Sequence, residues 1–154
     1  MTFRAGEGEP PSGKSHSHPL RVLAIDPGRD KCGVAVVVTD ESGQQSVLER
    51  RIVPREHISR AVLPLLEQHA IRRIVLGHAT TSKKLQDELH RILPEVEIVI
   101  VDETGSTLEA RALYWQEHRP RGWRRLVPLS LQVPPEPVDD FAAIVLARRF
   151  LKHI

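Results

Sequence analysis

The sequence has a single cysteine among its 154 residues, only 4% aromatic side chains and a formal net charge of just +2. Each scarcity removes a class of protein. With Cys32 alone, an internal disulfide is excluded, and Cys32 sits within the second strand, where a small apolar residue would serve. No apolar run approaches the length needed to span a bilayer, and the N-terminus has no hydrophobic signal core, so a cytoplasmic protein is expected. The near-balanced charge does not by itself indicate nucleic acid, although the sequence pI is about 9.0. Internal repeats are also missing. What remains, at 40% hydrophobic and 27% charged, suits one compact α/β domain with a real core.

Residues 1–19 are rich in Gly, Pro, Ser and Glu and nearly devoid of apolar side chains. Such a stretch cannot bury enough surface to offset its ordering entropy, so a disordered tail is expected there, with 20–154 as the single domain. His16 and His18 alternate within that tail and read as solvated.

The chain is organised around Val22-Leu23-Ala24-Ile25-Asp26-Pro27-Gly28, which continues through Lys31 and Gly33 into Val34-Ala35-Val36-Val37-Val38. Two short β-branched runs joined by a Pro-Gly turn read as neighbouring central strands. Asp26 ends the first. A lone carboxylate beside a core must be paired, hydrated or bound to a cation, because burying it unpaired is costly. Asp40-Glu41-Ser42-Gly43 then predicts a hairpin turn, with a third, antiparallel strand over Ser46 to Val53. Helical spacing follows over Glu56 to Ala70, interrupted by Pro64, where a kink is expected.

A fourth strand is predicted over Arg72 to Leu76, ending at Gly77-His78, and a fifth over Val96 to Val101, ending at Asp102-Glu103. Between them, Thr80-Thr81-Ser82 predicts an N-cap for a helix over Lys83 to Leu93. Ser106-Thr107-Leu108-Glu109 reads as a capping box, with Leu108, Ala112 and Trp115 facing inward on the helix that follows. Arg119 to Pro137 is irregular and proline-rich. The last helix is expected from about Val138 to Lys152. Hairpin strands followed by alternating helices and strands predict an α/β fold, a mixed five-stranded sheet with flanking helices.

In such sheets ligands gather beyond the carboxyl ends of parallel strands. Asp26, Asp102, Glu103, Asp139 and Asp140 all fall at such ends or at the start of the last helix. Two carboxylates about 5 Å apart repel by roughly 3 kcal/mol at an effective dielectric near 20. A converging set therefore points to a divalent cation, and oxygen-only donors suit Mg2+ or Mn2+. Each carboxylate also has a plainer reading, as a helix-start charge, a solvated strand end or a turn acceptor.

Three blocks carry a resemblance. Asp26-Pro27-Gly28-x-x-Lys31-x-Gly33-Val34-Ala35, Asp102-Glu103-x-x-Ser106-Thr107-x-Glu109-Ala110-Arg111 and Asp139-x-x-Ala142-Ala143 resemble, in order and spacing, the signature blocks of the YqgF family. These are Holliday-junction-resolvase-like (RuvC-like) proteins of the ribonuclease H fold. The resemblance implies strand order 3-2-1-4-5 and a divalent-metal nuclease, often assigned to maturing the 5′ end of 16S ribosomal RNA precursor. By position it makes Asp26, Glu103 and Asp139 the catalytic and metal-binding residues. Two ions are expected, with Asp26 the candidate to bridge them. Asp140 is a further candidate ligand, and Asp102, beside Glu103, another. Gly77 is expected to leave room for the phosphodiester.

The chain departs from the family around this set. Gly77-His78-Ala79-Thr80-Thr81 replaces a Gly-x-Pro loop, Thr104 an arginine, Gly105 an apolar residue, and Val133-Pro134-Pro135-Glu136-Pro137 a basic run. Basic character appears instead at Arg119, Arg121, Arg124 and Arg125 around Trp123. Arginines contact phosphates and an aromatic ring stacks on an unpaired base, so these residues and Lys31 are candidate nucleic-acid contacts. RNA or branched DNA is the expected partner, and monomer and homodimer stay open. Two other readings are a non-catalytic nucleic-acid-binding module of the same fold and an actin- or sugar-kinase-like nucleotide-binding fragment.

Overall fold

The structure, a computed structural model, describes residues 18–154. The expected N-terminal tail lies outside the described residues except for His18 and Pro19. Five strands form one sheet: β1 (Leu20–Pro27), β2 (Lys31–Thr39), β3 (Gln45–Pro54), β4 (Arg73–Gly77) and β5 (Glu97–Val101). Their order is β3-β2-β1-β4-β5. β1 pairs antiparallel with β2 and parallel with β4, and β5 extends β4 in parallel. Four helices complete the fold: α1 (Ile58–Gln68), α2 (Ser82–Ile92), α3 (Ser106–Glu117) and α4 (Asp139–Leu151). This is the expected mixed sheet with flanking helices.

The strand period of two divides the core between the faces. Val22, Ala24, Ala35, Val37 and Val75 pack with α3 and α4 residues such as Tyr114, Phe141 and Leu146. Leu23, Ile25, Val34, Val36, Ile74 and Leu76 pack with Val62, Leu65, Leu85 and Leu89 of α1 and α2. Cys32 is buried on this second face, as a small core residue. By the same alternation Asp26 shares the α4 side of β1 with Val22 and Ala24. Phe141 to Ala147 are all buried, so α4 is the central helix of its layer.

Several local expectations are corrected. The capping box does not form: Gly105 sits at the start of α3 in the left-handed region (φ 73°), without a side-chain cap. Glu109 bonds Arg149 instead. Leu108 and Ala112 are exposed rather than inward, and α3 buries Ala110, Tyr114 and Trp115. Ser82 does not cap α2; its hydroxyl donates to Gly77 O and accepts from Ala79 N, which ties down the loop after β4. The predicted first helix opens as a short 3-10 turn, Arg55–His57, and α1 then continues through Pro64. The 119–137 segment contains two further 3-10 turns, Gly122–Leu126 and Leu129–Leu131.

Candidate active site

Asp26 lies at the C-terminal end of the most central strand, opposite Gly33 of β2. Gly33 has no side chain because α4 occupies that space. A Cβ there would lie 1.7 Å from the carbonyl oxygen of Asp139 and 2.7 Å from the backbone nitrogen of Asp140. The first turn of α4 thus rests on the strand residue registered against Asp26, which brings the Asp139 side chain to it. A glycine inside a strand is the sequence sign of such a close backbone approach.

Glu103 enters from the other side, just beyond β5. A Cβ on Gly77 of β4 would lie 2.8 Å from Glu103 Oε2 and 3.1 Å from Pro27 Cδ. The space over Gly77 therefore holds the Glu103 carboxylate itself, and is not open for a phosphodiester as the sequence suggested. Glu103 Oε2 is sealed from solvent without a hydrogen-bond partner. Burial raises the Glu103 carboxyl above its ordinary value, a rise opposed by nearby His78. The effect on Asp26 is larger. Burial, then the charges of Glu103 and Asp139, push its carboxyl up to about 7. Asp26 feels both of the other carboxylates, and there is no basic side chain among the main influences on it.

The neighbouring acids are engaged elsewhere. Asp140 is buried, and its Oδ2 accepts a 2.7 Å hydrogen bond from Arg50 Nη1 of β3. Arg50 also donates to Glu117 at 2.7 Å, and its guanidinium lies 4.2 Å from the centre of the Phe141 ring. Asp140 thus latches the start of α4 to β3 through Arg50. Asp102 is exposed and folds back on its own turn, accepting from Thr104 N (3.0 Å) and Oγ1 (2.8 Å). Those bonds hold its carboxyl below the ordinary value.

Two further residues border the cluster. Lys31 Nζ lies 3.5 Å from Asp139 Oδ2, both side chains being partly exposed. Arg149, in the last turn of α4, donates from Nη1 to Asp102 O and from Nη2 to Thr104 O, each at 2.8 Å, and from Nη2 to Glu109 Oε1 at 2.7 Å. It grips the carbonyls on both sides of Glu103. Its pairing with a distant turn had no local signal in the sequence.

The implied divalent cation fits this donor set. The donors are all carboxylate oxygens, one of them is sealed and unpartnered, and Asp26 is destabilised as an anion by burial and then by its two neighbours. Among the described residues, no three His, Cys, Asp or Glu side chains are drawn together closely enough to hold a metal as they stand.

The predicted nucleic-acid residues are placed differently. Arg119, Arg121, Trp123, Arg124 and Arg125 lie together beyond the C-terminal end of α3, all exposed, and Trp123 is 73% exposed rather than tucked into the core. The Arg124 guanidinium sits 5.9 Å from the Trp123 ring centre.

No family model matches the chain. A protein of Roseiflexus sp. (strain RS-1), named "Putative pre-16S rRNA nuclease", is 26% identical over 150 residues, covering 88% of this chain and 96% of its own length. The resemblance to the YqgF family therefore extends over most of the chain. Among solved structures, RuvC of T. thermophilus in complex with a Holliday junction substrate aligns with a TM-score of 0.54 at 18% identity, covering 84% of this chain and 91% of that one. The Fowlpox virus resolvase, in complex with Holliday junction DNA, aligns with a TM-score of 0.58 at 10% identity, covering 87% and 98%. The fold is ribonuclease H-like. No helix among the described residues is long and apolar enough to cross a membrane.

Proposed function

We propose that the chain is a divalent-metal-dependent nuclease that hydrolyses phosphodiester bonds in structured nucleic acid, as the name of its Roseiflexus relative suggests. The observation that carries this is the Asp26 carboxyl at the end of β1, pushed up to about 7 by burial and then by the charges of Glu103 and Asp139. Three anions gathered without a cation cost stability, and a cation converts that cost into affinity.

Asp26, Glu103 and Asp139 would hold Mg2+ or Mn2+, and two ions suit the chemistry. When bound, such ions activate water and stabilise the leaving oxygen of the phosphate. The protein residues do the positioning. Asp26 is fixed by the central strand, Asp139 by the seat of α4 on Gly33, and Glu103 by the Arg149 grip on its neighbours. Lys31, exposed beside Asp139, is suited to a substrate phosphate. Arg119, Arg121, Arg124, Arg125 and Trp123 are suited to the flanking nucleic acid. Asp140 serves the fold through Arg50, and Asp102 serves its turn.

Asp26→Asn keeps the shape and removes the charge. With Mn2+ and a structured RNA or a branched DNA, the native protein is expected to cleave and this variant to bind without cleaving. Equal cleavage by both would overturn the assignment. A binding-only protein of the same fold is the second reading, favoured by the open arrangement of the carboxylates. It predicts binding with no metal-stimulated cleavage in either protein.

A further inference from the structure

The exposed face of α3 is neither apolar enough for a core nor polar enough for plain solvent. Leu108 is 69% exposed, and across from it the 119–138 segment exposes Trp123, Leu126, Leu129, Leu131 and Val133. Between the helix and the segment runs a groove of about 770 Å³. Its floor is Leu108, Ala112 and the edge of Trp115, and its far wall is Val127 and Leu129. Arg111, Arg119, Arg124 and Arg125 line it, and no carboxylate does.

Two facts argue that this is a built anion tract. None of the ion pairs among the described residues uses any of these four arginines. The wall is also fixed, because Gln132 Nε2 donates to Arg124 O at 2.8 Å and to Val127 O at 2.9 Å. The two sides of the groove are joined along the chain to the carboxylate residues. Leu108 stands in the first turn of α3, just after Glu103, and the segment that forms the opposite wall leads into Asp139. From Leu108 to Gln116 the helix supplies ~12 Å of floor.

We propose that this groove binds a short run of unpaired nucleotides flanking the bond to be cut, so that the substrate has a single-stranded segment beside the scissile phosphate. The inference rests on the nuclease reading above. Arg111, Arg119, Arg124 and Arg125 meet the phosphates, and the apolar floor and rim take bases that are not paired. Single strands are bound in this way, by basic tracts with aromatic or apolar surfaces under the bases. A duplex keeps its bases stacked inside and has nothing to offer Leu108 or Leu129.

The test is fluorescence anisotropy with a dye-labelled single-stranded RNA 12-mer and its duplex, in EDTA so that nothing is cut. The native full-length chain is compared with an Arg111→Gln, Arg124→Gln double variant and with Leu129→Asp, which puts a negative charge on the rim. All these positions are at least partly exposed, so folding is expected to persist, and Leu129→Asp gives an independent reading if the double variant does not fold. The native chain is expected to prefer the single strand. Each variant is expected to lose at least tenfold in that affinity, and the double variant to show a log–log salt slope smaller by about 1.4. Unchanged single-strand binding by the variants, or a duplex bound as tightly by the native chain, would overturn the proposal. Displacement of the RNA by poly-glutamate at equal charge would overturn it too, in favour of an acidic protein partner. Cleavage separates this from the nuclease reading. If Asp26→Asn still cuts, that reading fails; if the groove variants bind and cut normally while Asp26→Asn is inactive, only the groove fails.

Discussion

Gly33 and Asp139 touch backbone to backbone: a Cβ on Gly33 would lie 1.7 Å from the Asp139 carbonyl oxygen. That contact sets how close α4 comes to the sheet and places Asp139 beside Asp26. Gly33→Ala must move the start of α4, because neither partner atom belongs to a flexible side chain. A loss of about 3 kcal/mol or more is expected in urea denaturation, at the upper end of overpacking costs. The variant is also expected to lose Mn2+-induced thermal stabilisation. Native-like values for both would show that α4 does not depend on this seat.

Arg149 holds the carbonyls of Asp102 and Thr104, and so the backbone on both sides of Glu103. Arg149→Lys keeps the charge but cannot span the two carbonyls with a planar fork. Cleavage is expected to fall about tenfold or more, with a raised Mn2+ concentration for half-maximal rate and little change in nucleic-acid affinity. A drop in affinity with an unchanged metal requirement would instead make Arg149 a substrate contact.

Much of this was legible beforehand. The five strands and the strand-end carboxylates follow from β-branched runs and turn residues that local physics reads well, while the strand order was implied by the resemblance to the YqgF family. Asp139 and Asp140 show where it stops. They are adjacent on one helix start, and only the tertiary position of Arg50 decides that Asp140 is latched to β3 while Asp139 faces Asp26. The capping box failed for a similar reason: Arg149, forty residues away, takes the Glu109 carboxylate that the box required. Leu108 looked inward by periodicity, but the 119–138 segment leaves that face of α3 open. In the first two cases a partner distant in sequence outweighed a local preference.

The division of labour between the two aspartates is measurable. Asp140→Ala strands the Arg50 guanidinium near Phe141 and is expected to cost about 1–3 kcal/mol of folding stability. The Mn2+-induced rise in Tm is expected to persist in that variant. Asp139→Ala is expected to do the reverse, leaving metal-free stability unchanged or higher and abolishing the rise. Loss of the metal response in Asp140→Ala, with stability intact, would return Asp140 to the ligand set.

Asp26 gives the metal-free protein a pH signature. Its carboxyl ionises near 3.8 when unfolded but is pushed up to about 7 in the fold by burial, Glu103 and Asp139. The folded state therefore binds the proton more tightly. Its contribution to stability is complete below about pH 4 and is lost as pH rises through 7. Other carboxylates titrate in the same range, so the useful quantity is the difference in Tm between native protein and Asp26→Asn. In EDTA the variant is expected to gain on the native protein from pH 5 to pH 7, with the gap levelling off above that. Parallel curves would mean that Asp26 ionises normally. Saturating Mn2+ is expected to reverse the gap by stabilising only the native protein.

The central claim is that Asp26, Glu103 and Asp139 together hold divalent metal. An anomalous-difference map from crystals soaked in Mn2+ tests it most directly. The account predicts density bounded by those three carboxylates, with Asp140 still bonded to Arg50 and Asp102 still folded onto Thr104. Manganese bound at Asp102 or Asp140, or no peak beside Asp26 at saturating metal, would contradict it.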